Sequence, residues 1–210
     1  MKIDGEHLFK GPREEVWLLF RDPDILASAL PGTQSIIKIS DTEFDITMNV
    51  RVGPVSGIFS GKLVISNENP PESCTLTADG RGGPGFVKGV GNVHFADQGD
   101  ATTLLKYDGE LQIGGTIASV GQRMIDSVSK SMIRQGFEVF DKALESRLAA
   151  KAGEQVDFKP PTETEFAAAV TKDVAKSWMQ IAEVRMLMYV IPVGIALALL
   201  GLLLSQCSAG

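Results

Sequence analysis

The chain has 210 residues, 20 Lys and Arg against 26 Asp and Glu, and a formal net charge of -6. Its charges are scattered with no basic stripe, which argues against nucleic acid as a partner. Its two cysteines, Cys74 and Cys207, are too few for a disulfide framework or a CxxC metal site and read as reduced, unpaired thiols.

The front of the chain, Met1-Lys2-Ile3-Asp4-Gly5-Glu6, carries no apolar signal region. A short strand pattern, Ile3, Gly5, His7 and Phe9, breaks at Gly11-Pro12. Pro12 suits the start of a helix, and Glu14 and Glu15 suit its first turn. Val16, Leu19 and Phe20, with Trp17 beside them, make the apolar face of this helix, which stops at Asp22-Pro23. A second short helix over 24–30 ends at Pro31-Gly32.

An antiparallel meander follows. Phe44, Ile46, Met48, Val50 and Val52 alternate with polar residues before a turn at Gly53-Pro54. Phe59, Gly61, Leu63 and Ile65 continue the alternation, and after a loop at 67–71 so do Cys74, Leu76, Ala78 and Gly80. The glycine-rich stretch 81–85 lacks the Lys-Ser/Thr of a phosphate-binding loop and reads as a hairpin turn or a lip. Val87, Gly89, Gly91, Val93 and Phe95 form the next strand, and Thr103, Leu105, Tyr107, Gly109, Leu111 and Ile113 the last. From 116 to about 151 the period turns helical, with Ile117, Gly121, Ile125, Val128, Met132, Gly136, Phe140, Leu144 and Leu148 on one stripe and Met124 beside it. The fold class expected is α+β, a helix-grip antiparallel sheet of about seven strands around a long helix.

Several segments, in order, carry a family likeness: Pro12-Arg13-Glu14-Glu15-Val16-Trp17, Leu30-Pro31-Gly32, Val52-Gly53-Pro54-Val55-Ser56-Gly57, Asn69-Pro70-Pro71 and Val120-Gly121-Gln122-Arg123-Met124-Ile125-Asp126. They resemble the carbon monoxide dehydrogenase CoxG family, within the START-like group of ligand-binding domains. The resemblance implies a cytoplasmic domain that recruits a molybdenum-containing dehydrogenase or hydrogenase-type enzyme to the membrane and, in some members, binds a respiratory quinone such as menaquinone.

In a helix-grip fold the sheet and final helix enclose a space set by side-chain size. The expected lining is Trp17, Phe20, Phe44, Ile46, Met48, Phe59, Leu63, Leu76, Gly89, Gly91, Tyr107, Gly121 and Met124, which suits a hydrophobic ligand. The glycines are read either as open volume or as close packing without a cavity. Tyr107 and His7 are candidate donors to a ligand oxygen, or are satisfied by protein groups. Arg123 and Asp126 form either an exposed helical ion pair or a docking feature. No catalytic triad or metal-ligand spacing emerges, so no catalytic residue and no metal site are expected.

Four regions are expected: a ligand-binding domain over 1–150, a Pro-containing linker over 151–165, an amphipathic helix over 166–185 and a membrane span over 186–204. The last is nineteen residues without a charge, eleven of them Leu, Ile or Val. As a helix it reaches about 28 Å, close to a bilayer core. Lys172, Lys176 and Arg185 precede it, placing the N-terminal domain on the cytoplasmic face of the cell membrane in a single-pass topology. The amphipathic helix reads as a bilayer-surface element, a partner-groove ligand or a plain extension of the anchor. The function expected is a non-enzymatic membrane adaptor for a carbon monoxide dehydrogenase-type oxidoreductase that binds or carries a quinone. The alternatives are a cyclase or aromatase-type enzyme on the same fold and a purely structural anchor.

Overall fold

The computed structural model describes residues 1–153, 165 and 168–176. Seven antiparallel strands form one sheet in the order β1-β7-β6-β5-β4-β3-β2. They are β1 (Lys2–Phe9), β2 (Thr33–Lys38), β3 (Glu43–Val52), β4 (Val55–Asn69), β5 (Ser73–Gly82), β6 (Gly85–Asp97) and β7 (Thr103–Gly114). Helices α1 (Arg13–Leu19) and α2 (Pro23–Ala29) connect β1 to β2, and α3 (Gln122–Lys151) follows a 3-10 turn at Thr116–Val120. This is the helix-grip arrangement expected.

Local chemistry sets the short helices. Pro12 stands extended at the N-cap of α1, with Glu14 and Glu15 in the first turn. Asp22 caps α2 by accepting from the Asp24 and Ile25 amides at 3.0 and 3.4 Å, with Pro23 just inside. The glycine-rich stretch is a hairpin, with Gly82 paired to Gly85. The final helix is shorter than the pattern expected. Gly121 has φ +92, so the helical stripe breaks there into the 3-10 turn and a 30-residue α3.

Register fixes which side chains face the helix. Odd-numbered residues of β4, β6 and β7 turn inward, and each is less exposed than its neighbours along most of the strand. On β3 the even-numbered residues turn inward, with Phe44 and Val52 buried. Two cross-strand glycine pairs, Gly61 with Gly80 and Gly91 with Gly109, let the backbones approach closely. A Cβ at Gly61 would collide with the Asp79 carbonyl, and one at Gly109 would sit 2.7 Å from the Val90 carbonyl oxygen.

The antiparallel order gives the sheet two ends. The turn end gathers the β3–β4 and β5–β6 turns, the 3-10 turn and the start of α3; the loop end gathers Gly11, the β4–β5 and β6–β7 loops and the finish of α3. The tightest core lies at the loop end, where Phe9, Phe44, Phe95, Leu105 and Leu144 are fully buried. Thr103, also fully buried, donates its hydroxyl to the Gly11 carbonyl at 2.8 Å. Glu15 of α1 meets Arg147 and Lys151 of α3 at 3.2 and 2.5 Å, and Arg21 pairs with Glu68 of β4.

Two compact units divide the chain at Val170, Met1–Val170 and Thr171–Gly210. Residues 168–176 are helical, and Val170 packs against the hydrophobic core of the first unit. Among the described residues no helix is long and apolar enough to cross a membrane. The expected span over 186–204 lies outside the described residues.

Candidate functional site

Between the concave face of the sheet and α3 lies a cavity of about 520 Å³, within the size range of pockets that hold small organic ligands. Its wall is almost wholly apolar. The sheet supplies Ile46, Met48, Phe59, Leu63, Leu76, Val87, Leu111 and Ile113, α1 and α2 supply Phe20, Leu26 and Ala29, and α3 supplies Ile125, Val128, Met132, Ile133, Phe137 and Phe140. Gly61, Gly89 and Gly91 lie on the same wall, and at Gly89 the missing side chain leaves volume that only the end of Leu111 borders.

Of the residues expected to line this space, Phe20, Ile46, Met48, Phe59, Leu63, Leu76, Gly89, Gly91 and Tyr107 do so. Four do not. Trp17 and Phe44 are buried in the packed core instead, Trp17 edge-on to Phe95 at 5.6 Å. Gly121 is exposed and serves as the left-handed start of α3, and a Cβ placed on it would find nothing within 4 Å. Met124 turns toward the β3–β4 turn, where its sulfur would meet a Cβ at Gly53. The two corrections on the helix are local: Ile117 before the break and Ile125 after it both line the cavity, whereas Gly121 is taken by the left-handed cap and Met124, beside the stripe, packs at the β3–β4 turn. The lining also includes residues left out of the expected set: Val50, Val87, Leu111 and Ile113 of the strands and Ile125, Val128, Met132 and Phe140 of α3, all at inward positions of the patterns already read, and Leu26 and Ala29 of α2 with Ile133 and Phe137 of α3, from helix faces whose contacts only the packed fold defines.

Polar wall residues divide by strand parity. Lys62, Asp79 and Asp108 border the cavity through strands whose side chains turn outward at those positions, where Lys62 pairs with Glu43, Asp79 with Lys88 at 2.9 Å and Asp108 accepts from Asn92 at 3.3 Å. The Lys88 ammonium holds the Asp79 carboxyl below the usual carboxylate range. Two hydroxyl side chains belong to inward positions, Tyr107 on β7 and Ser129 on α3. Tyr107 lies across Gly5 of β1, where any Cβ would strike its hydroxyl, and its ring meets Phe137 at 5.7 Å. Burial pushes its phenol above the ordinary value, with the nearby Asp4 carboxylate acting the same way and Lys130 opposing. It is therefore a neutral donor at physiological pH.

His7 has a different role. Its Nε2 meets Asp141 of α3 at 2.9 Å and its ring stacks on Phe137 at 4.8 Å, so it ties β1 to α3 and is already partnered. Asp126 pairs with Lys130 one turn on at 3.1 Å, not with Arg123. Cys74 is buried in the core, and desolvation pushes its thiol up to about 11. Among the described residues no group of His, Cys, Asp and Glu is placed to hold a metal.

Solved structures share the fold. A conserved protein from Geobacillus kaustophilus matches at 29% identity with a TM-score of 0.67, covering 70% of this chain and 96% of its own. The Zhui aromatase/cyclase from Streptomyces sp. R1128 matches at 14% identity and TM-score 0.55, over 73% of this chain and 98% of its own. A START superfamily protein from Mycobacterium smegmatis matches at 11% identity and TM-score 0.54, over 70% and 98%. The last two likenesses establish the fold alone. No match was found among curated proteins. Residues 5–145 match the carbon monoxide dehydrogenase CoxG family, and the chain belongs to that family.

Proposed function

We propose that this protein is a non-catalytic membrane adaptor that associates with a carbon monoxide dehydrogenase-type molybdenum oxidoreductase and carries a respiratory quinone, menaquinone-like, in its apolar cavity. The cavity carries this reading: about 520 Å³ enclosed by aliphatic and aromatic side chains, with Tyr107 and Ser129 as its hydroxyls. Such a space rewards transfer of an apolar molecule from water at about 25 cal/mol per Å² buried. A cyclase would need ionisable side chains turned toward its substrate to move protons. Here the charged residues beside the cavity sit at outward-turned strand positions and pair across the outer face. Family membership supports the dehydrogenase as partner. The uncharged run over 186–204 supports attachment to the inner face of the cell membrane.

The test is mass spectrometry of lipids extracted from the purified full chain, together with membrane fractionation under high salt. A prenylated quinone in the extract and retention on salt-washed membranes are expected. An extract free of apolar molecules would leave a structural anchor, and release by salt alone would remove the spanning tail. In cells lacking this protein, the partner dehydrogenase should still reduce soluble dyes but fail to feed the respiratory chain. Loss of dye-linked activity as well would point to a role in enzyme maturation.

A further inference from the structure

The two ends of the sheet carry opposite charge. In the segments that meet at the turn end, 51–58, 81–87 and 113–123, the charged residues are Arg51, Arg81 and Arg123, with no Asp or Glu among them. The three strand-to-strand loops at the other end, 39–42, 67–72 and 97–102, hold Asp41, Glu68, Glu72, Asp97 and Asp100 and no Lys or Arg. Arg13, Arg21 and Lys38 answer three of those carboxylates, Glu72, Glu68 and Asp41. In a chain of net charge -6 the turn end is a local positive pole. Its charge is also unanswered. Arg51 and Arg123 are exposed and pair with no carboxylate among the described residues. Arg81, 72% exposed, stands 3.7 Å from an Asp79 oxygen, but Lys88 already holds that carboxylate at 2.9 Å, so two cations share one anion.

Apolar side chains stand beside these arginines. Ile58 on β4 and Phe86 on β6 hold outward strand positions on either side of the β5–β6 turn, at 54% and 37% exposure. Phe86 lies over Gly114, where any Cβ would strike its ring, and Pro84 lies over Gly57 in the same way. A Cβ at Gly83 or Gly121 would find nothing within 4 Å, so the β5–β6 turn and the entry to α3 stand clear of the body. Exposed apolar side chains among arginines, with no carboxylate on the three turns, complement the boundary layer of a bilayer that contains anionic phospholipid. Guanidinium groups meet the phosphates there, and apolar side chains enter the acyl boundary below. Chain length permits the contact. Residues 152–185, between α3 and the uncharged run, number 34 and even at helical rise reach about 51 Å, more than the about 45 Å length of α3.

We propose that the turn end of the sheet is a docking surface for anionic phospholipid, with Arg51, Arg81 and Arg123 on the headgroup phosphates and Ile58 and Phe86 in the layer beneath them. This rests on the tail attachment proposed above only to keep the domain near the bilayer. It fixes how the domain stands there: the turn end meets the lipid, and the acidic loops of the loop end face away from it.

The experiment uses the full chain in a Cys207→Ser background, with the environment-sensitive fluorophore NBD attached at Ser56→Cys beside the tip or at Gln98→Cys in the β6–β7 loop, both exposed, while Cys74 is buried. The labelled protein is placed in nanodiscs of phosphatidylcholine, alone or mixed with phosphatidylglycerol, with doxyl-labelled lipid as quencher. Position 56 should brighten and be quenched in the phosphatidylglycerol discs but not in phosphatidylcholine alone, and position 98 should report water in both. Arg51→Glu with Arg123→Glu should lower the docked-to-free ratio about tenfold or more, as should high salt, whereas Arg51→Lys with Arg123→Lys should hold it within about twofold. Thermal unfolding checks that each variant keeps its fold. A position 56 that stays in water on both surfaces overturns the docking and leaves the tip to an acidic protein. Lipid contact that ignores phosphatidylglycerol, or that appears at position 98 instead, overturns it as well. A chain that never enters the nanodiscs overturns the tail attachment, and flotation with phosphatidylglycerol vesicles then decides the docking: salt-sensitive binding lost in the Glu pair supports it, and no binding refutes it.

Discussion

The two ends of the same concave face follow one alternating pattern and reach opposite outcomes. At the loop end the inward positions are Phe9, Phe44, Phe95 and Leu105, and α1 and α2 press onto them, so the space is filled to 2% exposure or less. Toward the turn end Gly89, Gly91, Val87 and Val50 stand among the inward positions, α3 and the 3-10 turn cover them, and a cavity of about 520 Å³ remains. Alternation decides that a residue faces inward. Side-chain volume and the number of covering helices decide whether inward means packed or open.

This contrast can be broken most severely at the packed end. Phe9→Ala should cost about 3 to 5 kcal/mol, because the ring is fully buried against Phe20 and Phe137 and its neighbours cannot collapse into the space. Urea unfolding of the full chain checks it, and a loss below about 1 kcal/mol would show that the loop end is not the rigid half.

A smaller effect is expected at Gly121, which belongs to neither half. Its φ of +92 strains any other residue, so Gly121→Ala should destabilise by about 1 to 3 kcal/mol with no change in menadione binding. Weakened binding at unchanged stability would return Gly121 to the cavity wall.

At the open end the expected stability change is smaller still. A Cβ at Gly89 would meet only the flexible end of Leu111, at 2.7 Å, whereas one at Gly91 meets the Asp108 backbone oxygen at 3.3 Å. Gly89→Leu therefore fills space at a cost below about 1 kcal/mol while abolishing copurification of an apolar molecule. A large loss of melting temperature together with retained lipid would mean the glycine serves strand packing and not volume.

The least effect at neutral pH belongs to Cys74. Its thiol, ordinarily near 9.0, is pushed up to about 11 by burial, so folding favours the protonated form. The sign follows: this contribution is whole below pH 9 and fades as pH rises from there through about 11, where the unfolded chain ionises first. In a Cys207→Ser background, iodoacetamide at pH 8 should label Cys74 about a hundredfold more slowly folded than unfolded, from thiolate fraction alone. Comparable rates would show that the packed end opens readily.

Much of the fold was legible in the chain. The strand alternation, the breaks at Gly11-Pro12 and Gly53-Pro54, and the change to a helical period near 116 each reflect local rules that tertiary packing did not override. The apolar lining on the strands was equally legible, since parity alone selects Ile46, Met48, Leu63 and Leu76. The helix side was legible in part: Ile117, Ile125, Val128, Met132, Gly136 and Phe140 of the expected stripe line the cavity, while the short helices were not resolved by pattern. Trp17 and Phe20 share one apolar face in the sequence, yet Trp17 turns to Phe95 in the core and Phe20 to the cavity. Gly121 looked like a member of the stripe because a helical period was carried through a residue whose positive φ makes it the cap of α3, and Met124, beside the stripe, packs at the β3–β4 turn instead.

What the sequence determined by itself is the order of elements, the apolar character of the inward face, the absence of a charged pair among the inward strand positions and the uncharged run over 186–204. Those are properties of residue type and spacing. The tertiary structure alone decided that Gly61 and Gly109 serve backbone contact while Gly89 opens volume, that His7 is bound to Asp141, and that α1 and α2 press onto the packed end. Each of these depends on which distant segment comes to lie against the residue, and the close packing of the interior, not the local pattern, settles that.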